Sequence, residues 1–262
     1  MPEFMINVNN LNFYRDENPV LSDLSLGIRK GESIAVVGPN GSGKTTLLKC
    51  LCRLLRTPDK TIFIQERNIN DYRQAELSRL IGYVPQGGGG QNLPYTVHDF
   101  VSMGRYPYLK PFSAPSPRDR SAVDEALSQT STAHLKGRYL FELSGGEQQK
   151  VQLAAALAQS PEILLLDEPG AYLDPGWNAE IHRVLRRVNR EQGVTLVSVT
   201  HDLNSAISVS GRILALKEGR IHYFAESSGF ADARILKELF NHPFTVLDHP
   251  KLGKKVLPEV AE

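Results

Sequence analysis

Ser33-Ile34-Ala35-Val36-Val37-Gly38-Pro39-Asn40-Gly41-Ser42-Gly43-Lys44-Thr45 decides the fold. The first five residues are a short run, mostly apolar and β-branched, closed by a glycine, the pattern of a buried strand. Gly38 to Thr45 then match G-x-x-x-x-G-K-[ST] in every fixed position. Beyond them Leu47, Leu48, Leu51, Leu54 and Leu55 recur at helical spacing, and Pro58 lies just past the predicted end. A triphosphate is a dense anion, so backbone N–H groups must converge on it, and only glycines permit that curvature. A helix opening near Gly43 adds its positive end. Lys44 supplies a point charge for β- and γ-phosphates, and the Thr45 hydroxyl is a Mg²⁺ ligand. Asn40, Gly41, Ser42 and Thr46 go with the same cradle.

Outward from this loop the chain keeps an α/β rhythm. Residues 5–28 hold two β-rich runs, one ending near Tyr14 and one from Val20 to Ile28. Leu80 to Val84 reads as a strand, as do Ile163 to Asp167, Val194 to Val199 and Ile213 to Leu216. The last is joined to Ile221-His222-Tyr223-Phe224 by a Lys-Glu-Gly-Arg turn. A helix is predicted from about Trp177 with Ile181, Val184, Leu185 and Val188 on one face. Its arginines, Arg183, Arg186, Arg187 and Arg190, belong to the solvated side. Between Gln86 and Leu143 come four glycines, proline-rich turns, and helix-forming residues from Arg118 to Ala133. Strands alternating with helices imply a mostly parallel sheet with ligands at the strands' C-terminal ends.

Acidic and basic groups gather at those ends. Asp167 closes a hydrophobic strand and is placed to hold Mg²⁺ through water. Glu168 follows, a carboxylate that can polarise an attacking water. His201 comes directly after Val194 to Thr200 and points into the same crevice. Ser144 and Glu147 form an S-x-x-E capping box that opens a helix through Val151 to Leu157. A capped helix start bearing Gly145 and Gly146 is also an anion site.

Leu143-Ser144-Gly145-Gly146-Glu147 resembles, letter for letter, the signature of ATP-binding-cassette (ABC) ATPases, and the resemblance covers nearly the whole chain. It implies a P-loop NTPase core with a mostly parallel sheet, an N-terminal antiparallel β subdomain and a helical subdomain at about 87–160, in one domain over 5–262. It makes Tyr14 the aromatic on adenine, Gln86 the Q-loop glutamine and a Mg²⁺ ligand beside Thr45 and Asp167, and Leu173-Asp174 the D-loop. His201 becomes the switch histidine; Glu168, His201, Gln86 and Lys44 carry the catalysis. Two copies are implied to dimerise head-to-tail, so that each ATP lies between one P-loop and the partner's Ser144-to-Glu147 helix.

Tyr95-Thr96-Val97 through Gly104-Arg105-Tyr106-Pro107, Thr200 to Asn204, and the tail near Val256-Leu257-Pro258 look like importers of iron–siderophores, haem and vitamin B12. That likeness implies permease subunits as partners, indirectly an extracytoplasmic substrate-binding protein, and a place on the cytoplasmic side of the inner membrane. An exporter subunit, a soluble cassette ATPase and a nucleotide-sensing regulator are the rival readings. One cassette without a heptad-rich segment argues against the second, and Glu168 with His201 against the third. Departures from the family pattern are the Gly87 to Gly90 run, Gln149 and Lys150 where arginines are frequent, and Gly170-Ala171-Tyr172 ahead of the D-loop.

Composition agrees. The 262 residues hold 30 Lys and Arg against 29 Asp and Glu, a net charge of +1. Nucleic-acid or anionic-membrane footprints need a basic excess, so neither is expected. No run of about 18 apolar residues occurs to span a bilayer. The opening MPEFMINVNN lacks the basic-then-apolar order of a secretory leader. Met5 reads as a second start, and residues 1–4 as cloning-derived. Cys50 and Cys52 are not spaced as C-x-x-C and read as small apolar residues on a helix, in a reducing compartment.

Overall fold

A computed structural model describes residues 3–87, 94–110, 112–170, 175–250 and 253–259. In chain order the elements are β1 (Ile6–Arg15), β2 (Asn18–Ile28), β3 (Ser33–Val37), α1 (Lys44–Leu51), β4 (Ile62–Ile64) and β5 (Arg67–Asn68). Then come α2 (Gln74–Leu80), β6 (Ile81–Val84), α3 (Val97–Ser102), α4 (Pro117–Gln129), α5 (Gly145–Ala158), β7 (Ile163–Asp167) and α6 (Pro175–Gln192). The chain closes with β8 (Thr195–Val199), α7 (Leu203–Val209), β9 (Arg212–Lys217), β10 (Arg220–Glu226), α8 (Ser227–Phe230), α9 (Ala233–Phe240), β11 (Phe244–His249) and β12 (Gly253–Pro258). These elements form two compact units, Met1–Asp71 with Val197–Glu262, and Tyr72–Leu196.

In the first unit β2, β1, β4 and β5 make the expected antiparallel sheet in that order. Ile6 pairs with Ile28 and Val8 with Leu26, all four buried, so one face is apolar as the alternation requires. Phe4, expected to have no role, lays its ring against Gly27, where a Cβ would come 2.5 Å from Phe4 Cε1. Strand β3 runs parallel to β9, pairing Ile34 with Arg212 and Val37 with Ala215. Glu218 and Gly219, both at positive φ, turn β9 into the antiparallel β10. Phe230, Leu236 and Leu239 pack with Val256, Ala206 and Ile213 in a core of their own.

The helix after the loop is shorter than its leucines predict. Arg53 takes a left-handed φ of 56°, and the N–H groups of Leu54 and Leu55 both fold back to the Lys49 carbonyl. That closure ends α1 at Leu51. Leu47, Leu48 and Leu51 are buried, while Leu54 lies outside on the surface. Cys50 is fully buried on α1, and desolvation pushes its thiol up to about 12 and that of Cys52 to about 11. Both are poor nucleophiles at neutral pH, as small apolar residues on a helix should be.

The second unit holds the parallel pair β6 and β7, with Ile81 opposite Ile163 and Val84 opposite Leu166. Helices α3 to α6 share a core with those strands, including Val101, Leu127, Leu153 and Val188. Leu80 belongs to α2 and not to the strand predicted from it. Helix α4 stops at Gln129, short of Ala133. The Thr130 hydroxyl bonds back to the Ala126 carbonyl, and Ser131 turns left-handed. Helix α6 buries Ile181, Leu185 and Val188 and leaves Arg183, Arg186, Arg187 and Arg190 exposed, as expected.

Arg105 proves to be structural. It is buried; its Nε donates to Asp119 Oδ1 at 3.0 Å, its Nη1 donates to the Ala158 carbonyl at 2.7 Å, and its guanidinium lies 3.8 Å from the Tyr108 ring centre. Hydrogen bonds from Ser116, then the Arg105 contact, hold the Asp119 carboxyl below the usual carboxylate range. Arg105→Ala leaves that charge buried with one partner gone, a loss of ~3 kcal/mol. A lowered carboxyl contributes stability above its unfolded pKa and loses it as pH falls through the folded value. Urea unfolding should therefore show the full deficit at neutral pH and a smaller one in acid.

Candidate nucleotide site

The loop from Gly38 to Lys44 sits between β3 and α1, the context its sequence demands. Gly38 has φ 145°, and a Cβ there would come 2.1 Å from the Leu216 carbonyl oxygen. Gly43 has φ 97°, and a Cβ would strike Leu21 Cδ2 at 2.5 Å. Neither position admits another residue without displacing backbone or core, so both glycines serve curvature and close approach. Lys44 is 6% exposed; its Nζ donates to the carbonyls of Gly38 at 2.9 Å and Pro39 at 2.8 Å. The ammonium is thus held at the loop's own rim. Ser42 is 3% exposed and its hydroxyl has no hydrogen-bond partner among the described residues. A buried unpartnered hydroxyl costs free energy unless a ligand oxygen meets it, and a phosphate oxygen fits there.

His201 follows β8 in the same unit. Thr200 donates its N–H to the Val36 carbonyl at 3.1 Å, tying the turn to the strand that feeds the loop. Asp202 donates its N–H to Thr200 Oγ1 and caps α7 by accepting from the Ser205 N–H at 2.9 Å. His201 stands exposed between those two anchors. Tyr14, on β1, is 58% exposed, as a platform for a planar base requires.

In the second unit Asp167 ends β7 with 1% exposure, and the Tyr83 hydroxyl donates to its Oδ2 at 3.4 Å. Tyr83 carries no motif that announces it, apart from its place on a strand beside the carboxylate's. Glu168 has a left-handed φ of 52°, a sparsely populated conformation for a non-glycine residue. Gln86 Nε2 donates to Glu168 Oε2 at 2.7 Å, so these two expected site residues meet directly. Gln152 Nε2 donates to the Gly87 carbonyl at 3.0 Å and steadies the segment after Gln86, a support that sequence reasoning missed. Asp167 and Gln86 in this unit offer hard oxygen donors, the chemistry that suits Mg²⁺, and the hydroxyl of Thr45 in the first unit is a donor of the same kind. Asp174, Leu173 and Gly88 to Gly90 lie outside the described residues.

Ser144 caps α5 as predicted, and the helix runs from Gly145 to Ala158, through the expected Val151 to Leu157. Its N–H and hydroxyl donate to Glu147 Oε2, each at 2.8 Å. Those bonds hold the Glu147 carboxyl below the usual range, so the capping box is charged at neutral pH. Ser144 and Gly145 are exposed, free to meet an external anion. Of the two departures nearby, buried Lys150 forms an ion pair with half-buried Glu180, while Gln149 Nε2 is buried without a partner among the described residues.

The sequence pattern of the ABC transporter family matches residues 21–171. The petrobactin import ATP-binding protein FpuC of Bacillus anthracis is 34% identical over 242 residues, 92% of this chain and 87% of that protein. The hemin import ATP-binding protein HmuV of Pseudomonas aeruginosa is 34% identical over 260 residues, 97% of this chain and 99% of its own. Among solved structures, the dimeric post-hydrolysis state of the ATP-binding cassette MJ0796, bound to ADP and phosphate, superimposes with a TM-score of 0.74. It is 30% identical and covers 85% of this chain and 99% of that one. The chain belongs to the ABC transporter family, as one of its ATP-binding cassette proteins, and is an ATPase.

Proposed function

We propose that the chain is the nucleotide-binding subunit of an ABC membrane importer for iron–siderophore, haem or cobalamin-type substrates. The observation that carries this reading is the similarity, over most of both lengths, to petrobactin and hemin import ATP-binding proteins. No helix among the described residues is long and apolar enough to cross a membrane. Membrane attachment therefore runs through permease subunits on the cytoplasmic face of the inner membrane, and an extracytoplasmic binding protein delivers the cargo. The whole of 5–262 acts as one cassette, with its helical part at about 87–160, and Phe4 packs against its β2.

The loop from Gly38 to Thr46 holds the triphosphate, with Asn40, Gly41 and Ser42 turned to it and Tyr14 beneath the adenine. Lys44 leaves the carbonyls of Gly38 and Pro39 for the phosphates. Glu168 takes the proton of the attacking water, Gln86 positions Glu168, and His201 holds the γ-phosphate. Thr45, Gln86 and Asp167 would hold Mg²⁺, which would supply neutralisation of the triphosphate's charge. Ser144, Gly145, Gly146 and Glu147 serve the ATP of the partner copy in a head-to-tail homodimer, and Asp174 belongs to the same nucleotide-binding set. ATP does mechanical work because it binds the closed dimer better than the open one.

Mixing experiments test the shared site. Ser144→Arg puts a cation where the partner's γ-phosphate belongs and leaves its own loop sound. Lys44→Ala has the opposite defect. Each should be inactive alone, and the mixture should regain ATPase activity from heterodimers with one intact site. Ser42→Cys with Ser144→Cys, in a chain lacking Cys50 and Cys52, should crosslink between copies only with ATP. If mixing restores nothing and ATP promotes no crosslink, the shared site is wrong. For import, vesicles carrying the chain with its permease should accumulate ferric siderophore or haem when ATP is on the chain's side. ATP-driven efflux instead would make it an exporter subunit.

A further inference from the structure

We propose that Asn204 is a positioning residue for hydrolysis, clamping the helix behind His201 to the C-terminal hairpin so that the hairpin sets where the His201 turn stands. The inference rests on the reading of His201 as the group that meets the γ-phosphate.

The Asn204 amide makes two bonds to one residue. Its Nδ2 donates to the Val256 carbonyl at 3.1 Å, and the Val256 N–H donates to its Oδ1 at 2.9 Å. An amide carries one donor side and one acceptor side, so it meets a peptide edge as a neighbouring strand would. Strands β11 and β12 form a sheet of two, which leaves β12 with an open edge. A two-stranded hairpin is marginal by itself. Here Val256 is buried in one core with Ala206 of α7, and Val246 and Phe244 of the hairpin pack against that core as Leu203 and Ile207 of α7 do. Apolar contacts tolerate sliding, whereas the paired amide bonds are made in one register only.

The clamp reaches His201 through short, stiff connections. Asn204 lies in the first turn of α7, whose cap, Asp202, adjoins His201. On its other side Thr200 is fixed to the Val36 carbonyl. The turn therefore has two anchors, β3 and α7, and the second is itself held by the hairpin. A shift of α7 along or about its axis moves His201 relative to the loop that follows β3. A misplacement of about 1 Å can cost up to a hundredfold in rate.

Three full-length variants test this, each assayed for bound ATP per chain and for basal turnover per bound ATP. Asn204→Ala removes the clamp from the helix side. Val256→Pro removes the N–H from the hairpin side and keeps an apolar side chain. His201→Ala reports on the site itself. Both clamp variants should bind ATP at parental stoichiometry and affinity and lose about tenfold in turnover per bound ATP. The double clamp variant should be no worse than Asn204→Ala alone, because Asn204→Ala already removes both bonds and Val256→Pro removes one of the same two. A merely structural amide would lower thermal stability and ATP stoichiometry together and leave turnover per bound ATP unchanged; that result overturns the proposal, as does additivity. Should Asn204→Ala fail to fold, Asn204→Asp, which keeps the acceptor for Val256 N–H, must show the same turnover defect at smaller size. If His201→Ala loses activity and the clamp variants do not, the clamp alone is wrong. Full turnover by His201→Ala overturns the site reading and the clamp with it.

Discussion

A Glu168→Gln protein is expected to bind ATP as the parent does and to hydrolyse it about a thousandfold more slowly. The substitution is nearly isosteric, and the contact it must respect is known. Gln86 Nε2 donates to Glu168 Oε2 at 2.7 Å, and a glutamine at 168 still offers an oxygen to accept that bond. The left-handed backbone at 168 bears an unbranched amide no worse than an unbranched acid. Folding, the loop and the Gln86 contact therefore persist, while the group that takes a proton from water is gone. The loss belongs in kcat and not in nucleotide affinity. Blocked after binding, the variant should collect as an ATP-bound dimer, visible by size exclusion. Turnover at the parental rate would remove Glu168 from the chemistry.

What the sequence made legible, and what it hid, divides along a physical line. The phosphate loop could be read because a dense anion dictates residue types at fixed spacing. The same reasoning found the Ser144–Glu147 box, whose bonds are local. Strand β7 was readable because ILLLD is apolar up to its carboxylate. The end of α1 was not, since periodicity counts side chains and the left-handed Arg53 is a backbone event. Two of the best-placed polar contacts were hidden for another reason. Tyr83 meets Asp167 across 84 positions of sequence, and Asn204 meets Val256 across 52. Such pairs exist only once the chain has folded, so no local pattern marks them. Thr200 to Asn204 and the tail near Val256 stood out separately by family likeness, and the structure joins them through the Asn204 amide.

Lys44→Ala should damage the step that Glu168→Gln spares. Lys44 is buried, and its ammonium is held by two carbonyls of its own loop. Those carbonyls face the ammonium only while no anion competes for it. When a triphosphate arrives, the charge exchanges neutral oxygens for ionised ones, a stronger, charge-assisted contact. Alanine deletes that contact and leaves the loop N–H groups and the helix terminus in place, so binding is weakened and not erased. A charge-assisted hydrogen bond contributes up to ~3 kcal/mol, which makes the expected loss of ATP affinity on the order of a hundredfold. The glycine geometry is untouched: the clashes that exclude a Cβ at Gly38 and Gly43 involve Leu216 and Leu21 and not Lys44. Thermal stability without nucleotide should therefore stay close to parental, and the stabilisation that ATP confers on the parent should largely vanish. Titration with a fluorescent ATP analogue, beside melting curves with and without ATP, separates the two quantities. Parental affinity in the alanine variant would mean that the loop from Gly38 to Thr45 does not hold the triphosphate through Lys44. A collapse of the nucleotide-free melting temperature would mean that the two carbonyl contacts are structural and not a resting place for the charge.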